Sequence, residues 1–352
     1  MKSEIFNISH AEEIQDGISK VKGWEISYSS MLVMIFAAER SKEEFMKLAD
    51  IIHEAFPSAD IAGGSVDVTA GEGYSNSEGF SVGFIAFRDS KTHVGLFEVN
   101  EYMRIPPGDL AVWYREIEQP KVVGLLVSGH VNFEDAISFT HIDVQSFGGI
   151  MNTGDGYCFG NGRMVSEGLV VIAFSGGSLR VKIDKCSGWQ PIGRHMRITK
   201  IGGPYVIEKL DGRPFSEVYR HCLGEIEGES LIELTFLFPL MLYRNGKLTA
   251  RHPFLIRDDG SAVFSTDFIV GEEVQIGYGN PARIIYEAQH MQQCMASFML
   301  QCLLLADCIS RWRMLSGDTD QELRLCRGIG PSIGFLDREK SSALEYSQCS
   351  LT

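Results

Sequence analysis

Residues 31–64 read MLVMIFAAERSKEEFMKLADIIHEAFPSADIAGG, and this stretch decides the fold. Residues 31–38 are an apolar run of strand length. Ser41 then opens a stretch in which Phe45, Leu48, Ile51, Ile52 and Ala55 fall on one helical face. Ser41 and Glu44 have the spacing of a capping box. Past Pro57 a second short strand, 59–62, runs into Gly63-Gly64. Strand, helix, strand in this order predicts a unit with parallel pairing across a helical crossover.

Working outward, Ser77-Glu78-Gly79 introduces the alternating run 80–87 (FSVGFIAF), and the whole order returns about 90 residues later. Residues 122–128 (VVGLLVS) are the strand and 132–140 (NFEDAISFT) the helix. Residues 145–147 lead into Gly148-Gly149, and Ser166-Glu167-Gly168 introduces the run 169–174. A weaker third copy is expected at 303–309 (strand), 318–326 (helix) and 331–335 (strand). No strand is evident after Phe335, so the polar tail predicts a frayed end or a truncated copy. Between copies two and three lies a β-rich region, with strands expected at 179–183, 197–201, 205–210, 232–243, 261–264 and 273–277. Helices are expected at 216–223 and 281–299. The expectation is an α/β protein with mixed sheets built from repeated strand-helix-strand units, in two domains. Residues 1–205 would hold two αβ half-repeats. Residues 206–352 would hold the β-rich part, the long helix and a partial third repeat.

The 352 residues include 32 Lys+Arg and 46 Asp+Glu, a net charge of −14, with 44% hydrophobic and 22% charged residues. That is globular usage with enough chain for two cores. An acidic surface repels phosphate backbones and anionic lipid, which argues against nucleic-acid or membrane binding. The first 16 residues carry Glu4, Glu12, Glu13 and Asp16 without an apolar centre, unlike a signal peptide. No apolar run approaches the roughly 18–20 residues of a membrane span. The eight cysteines form no C-x-x-C pair and read as reduced thiols, so a cytoplasmic location is expected.

A Gly-Gly pair after a buried strand lets backbone amides approach a ligand, which makes Gly63, Gly64, Gly148 and Gly149 candidate ligand-binding residues. The competing reading is a tight turn with positive φ. The sequence holds no Rossmann fingerprint, Walker A motif, G-x-S-x-G elbow, H-E-x-x-H or EF-hand loop. Asp155, within Asn152-Thr153-Gly154-Asp155-Gly156, reads as a turn residue rather than a metal ligand. His290 and Cys294 share i, i+4 spacing, but two ligands do not make a zinc site. No enzymatic activity is expected.

One segment carries a family likeness. Gly188-Trp189-Gln190-Pro191-Ile192-Gly193 is followed by Arg197-Ile198-Thr199-Lys200, then by Leu210-Asp211-Gly212-Arg213-Pro214 and Tyr219. This order resembles the middle of FIST-domain proteins, a family of intracellular signal-transduction sensory modules. The likeness extends through Phe147-Gly148-Gly149, Phe159-Gly160-Asn161-Gly162 and Phe174-Ser175-Gly176 on one side. On the other it takes in Phe238-Pro239, Arg251, Asp258-Asp259-Gly260-Ser261, Asp307-Cys308-Ile309-Ser310-Arg311 and Ile333-Gly334-Phe335. It covers roughly residues 30–335. One departure is Asp337-Arg338-Glu339-Lys340, where the family continues with a Gly-Glu-containing strand.

The resemblance implies a small-ligand input protein that relays occupancy to a signalling kinase or cyclase. Fused output modules are absent, which fits stand-alone members that bind haem and sense nitric oxide. A sensor of amino acids or related metabolites, or a protein-protein adaptor without ligand, are the alternatives, and a homo-oligomer stays open. Haem needs an apolar slot and a strong axial ligand. The candidates are His252, beside Arg251 as a propionate partner, His195, beside Arg194, and Cys308 as a thiolate. Trp189 reads as core packing or as a pocket wall.

Overall fold

A computed structural model describes residues 1–100, 105–129, 144–152, 156–224, 230–244, 247–253, 255–264, 267–316, 318, 320–336 and 346–351. The helix expected at 132–140 and the turn residue Asp155 lie outside the described residues.

The quoted stretch folds as its pattern dictates. Strand Ser30–Ala38 is followed by helix Lys42–Ala55, whose capping box joins Ser41 and Glu44 as expected, and by strand Asp60–Val66 in parallel pairing with the first. Gly79–Phe87 pairs antiparallel with Ser30–Ala38, and Lys2–Ile8 with Gly79–Phe87. The second unit repeats this sheet order with Lys91–Glu98, Gly168–Ser175, Pro120–Ser128 and Gln145–Asn152. The third does so with Val181–Cys186, Tyr346–Leu351, Cys302–Asp307 and Ser332–Leu336. The third copy therefore has the closing strand that its polar tail did not suggest. Its helical link also differs from the expected 318–326: helix Ile309–Met314 comes first, then the short Asp320–Leu323.

Strands Ser30–Ala38, Gly79–Phe87, Pro120–Ser128, Gly168–Ser175 and Cys302–Asp307 are buried on both faces because each face meets a core. Leu32, Met34 and Phe36 point into a shared core that also takes Val122, Leu126, Leu304 and Ala306 from the other units. Met31, Val33 and Ile35 point the other way, against the helices of unit one. Rings cross between units: Phe36 lies 5.2 Å from Phe335, and Phe87 lies 6.1 Å from Phe174. A buried Phe contributes about 1.5–3 kcal/mol, so this common core ties the three units together.

The units also exchange hairpins. Strands Val68–Gly71 and Tyr74–Asn76 leave unit one and pair with Ser332–Leu336 of unit three. Strands Cys158–Gly160 and Arg163–Val165 leave unit two and pair with Asp60–Val66 of unit one. Each hairpin turns on two residues of positive φ, Glu72-Gly73 and Asn161-Gly162, as a two-residue turn between twisted strands requires.

The strand packing corrects the reading of the Gly-Gly pairs as turns lining a cleft. Gly63 and Gly64 lie within strand Asp60–Val66, and Gly148 and Gly149 within Gln145–Asn152; all four are buried. A Cβ on Gly63 would fall 1.8 Å from the Ile35 carbonyl oxygen, and one on Gly64 would fall 2.3 Å from that of Tyr157. Gly148 repeats the first relation with Leu125 at 2.0 Å. The space is filled by neighbouring backbone, not left for a ligand.

A separate eight-stranded sheet is inserted between Cys186 and helix Pro281–Ala296. Its spine is Trp189–Ile201, Val206–Leu210, Leu240–Arg244, Lys247–Arg251 and Glu273–Gly279, all antiparallel. Helix Phe215–Leu223 covers its core face through Phe215, Val218 and Tyr219. The run 232–243 is not one strand: Ser230 and Glu233 form a capping box that starts helix Leu231–Leu237 before strand Leu240–Arg244. Entry and exit of the insert are clamped together. Glu287 accepts from the amides of Ser187 (3.2 Å) and Gly188 (2.8 Å), and the Trp189 indole lies directly on Gly279. No helix among the described residues is long and apolar enough to cross a membrane.

Candidate functional site

Ligands of open α/β sheets gather at the carboxyl ends of parallel strands. In unit three that end is Asp307, with helix Ile309–Met314 directly behind it. Asp307, Arg311 and Glu322 meet there with side chains 1%, 1% and 0% exposed. The Arg311 Nη2 pairs with Glu322 Oε1, and its Nε lies 3.4 Å from Glu322 Oε2 and 3.5 Å from Asp307 Oδ1. Its Nη1 donates to the carbonyls of Ser187 (2.6 Å) and Cys186 (3.3 Å), at the entry to the inserted sheet. Asp307 Oδ1 accepts from the Cys308 amide at 2.7 Å, while Oδ2 has no hydrogen-bond partner among the described residues.

One guanidinium thus serves two buried carboxylates. Burial, then the Glu322 charge, pushes Asp307 up to about 8. Burial opposes the Arg311 charge, but Glu322, Cys186 and Asp307 hold it well above its ordinary value. Asp307 is consequently the member that carries a proton near neutral pH.

A second cluster adjoins the same helix. The Arg313 guanidinium sits 4.3 Å from the centroid of Phe236, whose ring is 4.4 Å from that of His252. Phe236 belongs to helix Leu231–Leu237, which packs on Ile309–Met314; His252 directly follows strand Lys247–Arg251. His252 is 4% exposed. Burial, then the positive charges of Arg251 and Arg313, pushes its imidazole down to about 3. The ring is neutral at physiological pH, and its Nε2 has no hydrogen-bond partner among the described residues. A neutral buried imidazole with an unoccupied ring nitrogen is equipped to coordinate a metal or to hydrogen-bond a ligand.

A cavity of about 370 Å³ lies elsewhere, between helix Lys42–Ala55 and the hairpin from unit two. Its inner polar groups already serve one another. Asp60 accepts from Thr92 Oγ1 (2.7 Å) and Asn161 Nδ2 (2.9 Å), and Asn161 Oδ1 accepts from the Ile61 amide (2.8 Å). That wall holds the hairpin in place. No group of three or more His, Cys, Asp or Glu residues is arranged to hold a metal ion among the described residues.

Residues 31–213 match the model of the FIST N domain, and residues 216–336 match that of the FIST C domain. This chain belongs to the FIST family. FIST domains are signal-transduction sensory domains thought to bind small ligands. In this FIST chain the N-domain match takes in unit one from residue 31, unit two, the Val181–Cys186 strand of unit three and the first strands of the inserted sheet. The C-domain match takes in the rest of that sheet and the part of unit three from helix Pro281–Ala296 to Leu336. No protein of curated function matches the chain.

The sequence-predicted site residues do not converge. In the FIST chain Trp189 is half-buried and packs on Gly279 at the clamp of the insert. His195 sits in an irregular stretch of strand between Ile192 and Met196, its side chain 68% exposed and 3.9 Å from the Glu273 carboxylate. Cys308 is half-buried at the start of a six-residue helix. Arg251 and His252 do come together, and with them Phe236 and Arg313, which sequence reasoning missed. Asp307 and Arg311 fell inside a family-like segment at i, i+4 spacing. Glu322 carried no sequence signal.

Proposed function

We propose that this FIST chain is a sensory input protein that takes its small ligand beside His252, where the inserted sheet meets unit three, and relays occupancy to a signalling kinase or cyclase. The observation that carries this reading is the buried, neutral imidazole whose Nε2 has no hydrogen-bond partner among the described residues. Haem is the proposed ligand. A neutral imidazole is the common proximal donor to haem iron, and guanidinium groups suit propionates. The donor types around His252 fit that chemistry, and room for the ring would come as the inserted sheet and unit three part: His252 Nε2 would ligate the iron, with Arg251 and Arg313 beside it. Bound haem supplies an iron position that takes a diatomic gas such as nitric oxide.

The protein's own contribution is environment. Burial keeps His252 from protonating, and Phe236 fixes its ring plane. Ligand that binds one arrangement of insert and unit three better than another shifts the population towards it. The Arg311 contacts to Cys186 and Ser187 and the Glu287 contacts to Ser187 and Gly188 tie the two parts at one point, a suitable pivot. We propose a cytoplasmic protein without enzymatic activity. The two guanidinium groups also favour a second reading, an amino acid or related carboxylate. Haemin titration followed by absorbance, set against thermal stabilisation by amino acids, distinguishes the two.

A further inference from the structure

The cavity of about 370 Å³ beside helix Lys42–Ala55 falls at the lower end of the roughly 300–1,000 Å³ of small-molecule sites. Three elements from two units build it: the end of that helix, the start of strand Asp60–Val66, and the hairpin that leaves unit two for unit one. Its floor is apolar, with Ala49, Ile61 and Phe159 at 2%, 3% and 1% exposed. The Phe159 ring packs on that of Phe45, 5.2 Å away between centroids, so the floor is already formed.

The polar groups around this floor carry one sign of charge. Asp50 and Asp60 line the cavity, and no Lys or Arg does. Asp60 accepts one hydrogen bond on each oxygen, from Asn161 and from Thr92, which orients its carboxylate and leaves further acceptor capacity. Asp50 is different. Neither its carboxylate nor the His53 ring, about one turn along the same helix, makes a hydrogen bond or ion pair among the described residues. The helix ends at Ala55, so the partial negative charge of its last carbonyls adds to that of the carboxylates.

A cation complements this arrangement. An alkyl ammonium would meet Asp50 and Asp60 while an attached apolar body covers Ala49, Ile61 and Phe159. An amino acid suits it less, because its carboxylate would enter the same field with no guanidinium or ammonium to receive it. We propose that this cavity is a second small-molecule site, for an organic amine with an apolar body and no carboxylate. Bound there, the amine joins the exchanged hairpin of unit two to helix Lys42–Ala55. The cavity shares no residue with the His252 cluster, so the proposal is independent of the haem reading.

Phenethylamine, phenylalanine and phenylacetate carry one aromatic body with a cationic, a zwitterionic and an anionic head. Isothermal titration calorimetry on the full chain near pH 8, where an alkyl ammonium keeps its proton, separates them. Phenethylamine is expected to bind with Kd on the order of 100 µM, and the other two at least about tenfold more weakly. Asp50→Asn, at an exposed position, weakens phenethylamine about tenfold with unchanged melting temperature. Ser58→Lys, also exposed on the cavity wall, supplies an ammonium from the chain itself and abolishes binding. His252→Ala leaves it unchanged. No binding of phenethylamine up to about 10 mM would overturn the proposal. Phenylacetate binding as tightly as phenethylamine, wild-type affinity in Asp50→Asn, or loss of binding in His252→Ala would overturn it too.

Discussion

The guanidinium of Arg311 and the carboxylate of Glu322 pair inside unit three, with side chains 1% and 0% exposed. Neither group reaches water, so their pairing is what makes both tolerable there. Arg311→Ala leaves Glu322 buried and uncompensated and frees the Cys186 and Ser187 carbonyls. A loss of about 3–5 kcal/mol is expected in urea unfolding. The triple variant Asp307→Asn/Arg311→Met/Glu322→Gln, which removes the charges together, is expected to cost less. A single variant milder than the triple would contradict this account of the cluster.

Asp307 gives the cluster a pH signature. Its folded-state value of about 8 lies far above the ordinary carboxyl value of about 3.9. Between these values the native state holds a proton that the unfolded chain has released. The stability contributed by Asp307 is therefore complete below about pH 4 and is lost as pH rises towards 8. Asp307→Asn keeps the acceptor for the Cys308 amide and cannot ionise. Its melting temperature relative to the wild type should climb from pH 5 to pH 8. A difference independent of pH would count against a protonated Asp307. His252 acts in the opposite sense: the stability it contributes is present above about 6.5 and falls as pH drops towards 3.

Gly63→Ala puts a methyl group 1.8 Å from the Ile35 carbonyl oxygen at a φ of 154°, where backbone would have to move. Gly334→Ala repeats the clash on Leu305 at 2.0 Å. Each is expected to cost more than about 3 kcal/mol or to prevent soluble expression. Gly177→Ala, with nothing within 4 Å, is the control. Equal melting temperatures for all three would refute the packing role assigned to the glycines.

The exchanged hairpin of unit one is held by Asp320, which accepts from the Ser75 amide (2.9 Å) and hydroxyl (2.7 Å). Arg327 lies 3.5 Å from the centre of the Tyr74 ring. Asp320→Ala should cost about 1–2 kcal/mol and speed amide exchange at 74–76 before the rest of the sheet. Protection unchanged at those amides would show that the hairpin is held otherwise.

What could be read ahead followed burial. Strand Ser30–Ala38 is legible because its two faces enter two cores, leaving an unbroken apolar run. Lys2–Ile8 was not, because this edge strand alternates with charged residues, and Tyr346–Leu351 was not, because it is polar. The Gly-Gly pairs stood out, but only the packing tells why they are glycine: Gly63 and Gly148 lie against the backbone of the neighbouring parallel strand, and Gly64 against the backbone of unit two at Tyr157. The run 232–243 misled because short apolar runs suit helix and strand alike. That same misreading hid Phe236, the ring that packs on His252. Arg311 and Glu322 stand eleven residues apart across two short helices, a relation no local pattern carries.

His252 is the residue proposed to contact haem. The direct measurement is the absorption spectrum of the full chain titrated with haemin, recorded for the wild type, His252→Ala and His195→Ala. A Soret band in the wild type and in His195→Ala, lost or shifted in His252→Ala with folding intact by circular dichroism, is the expected result. No band in the wild type, or an identical band in His252→Ala, would contradict it.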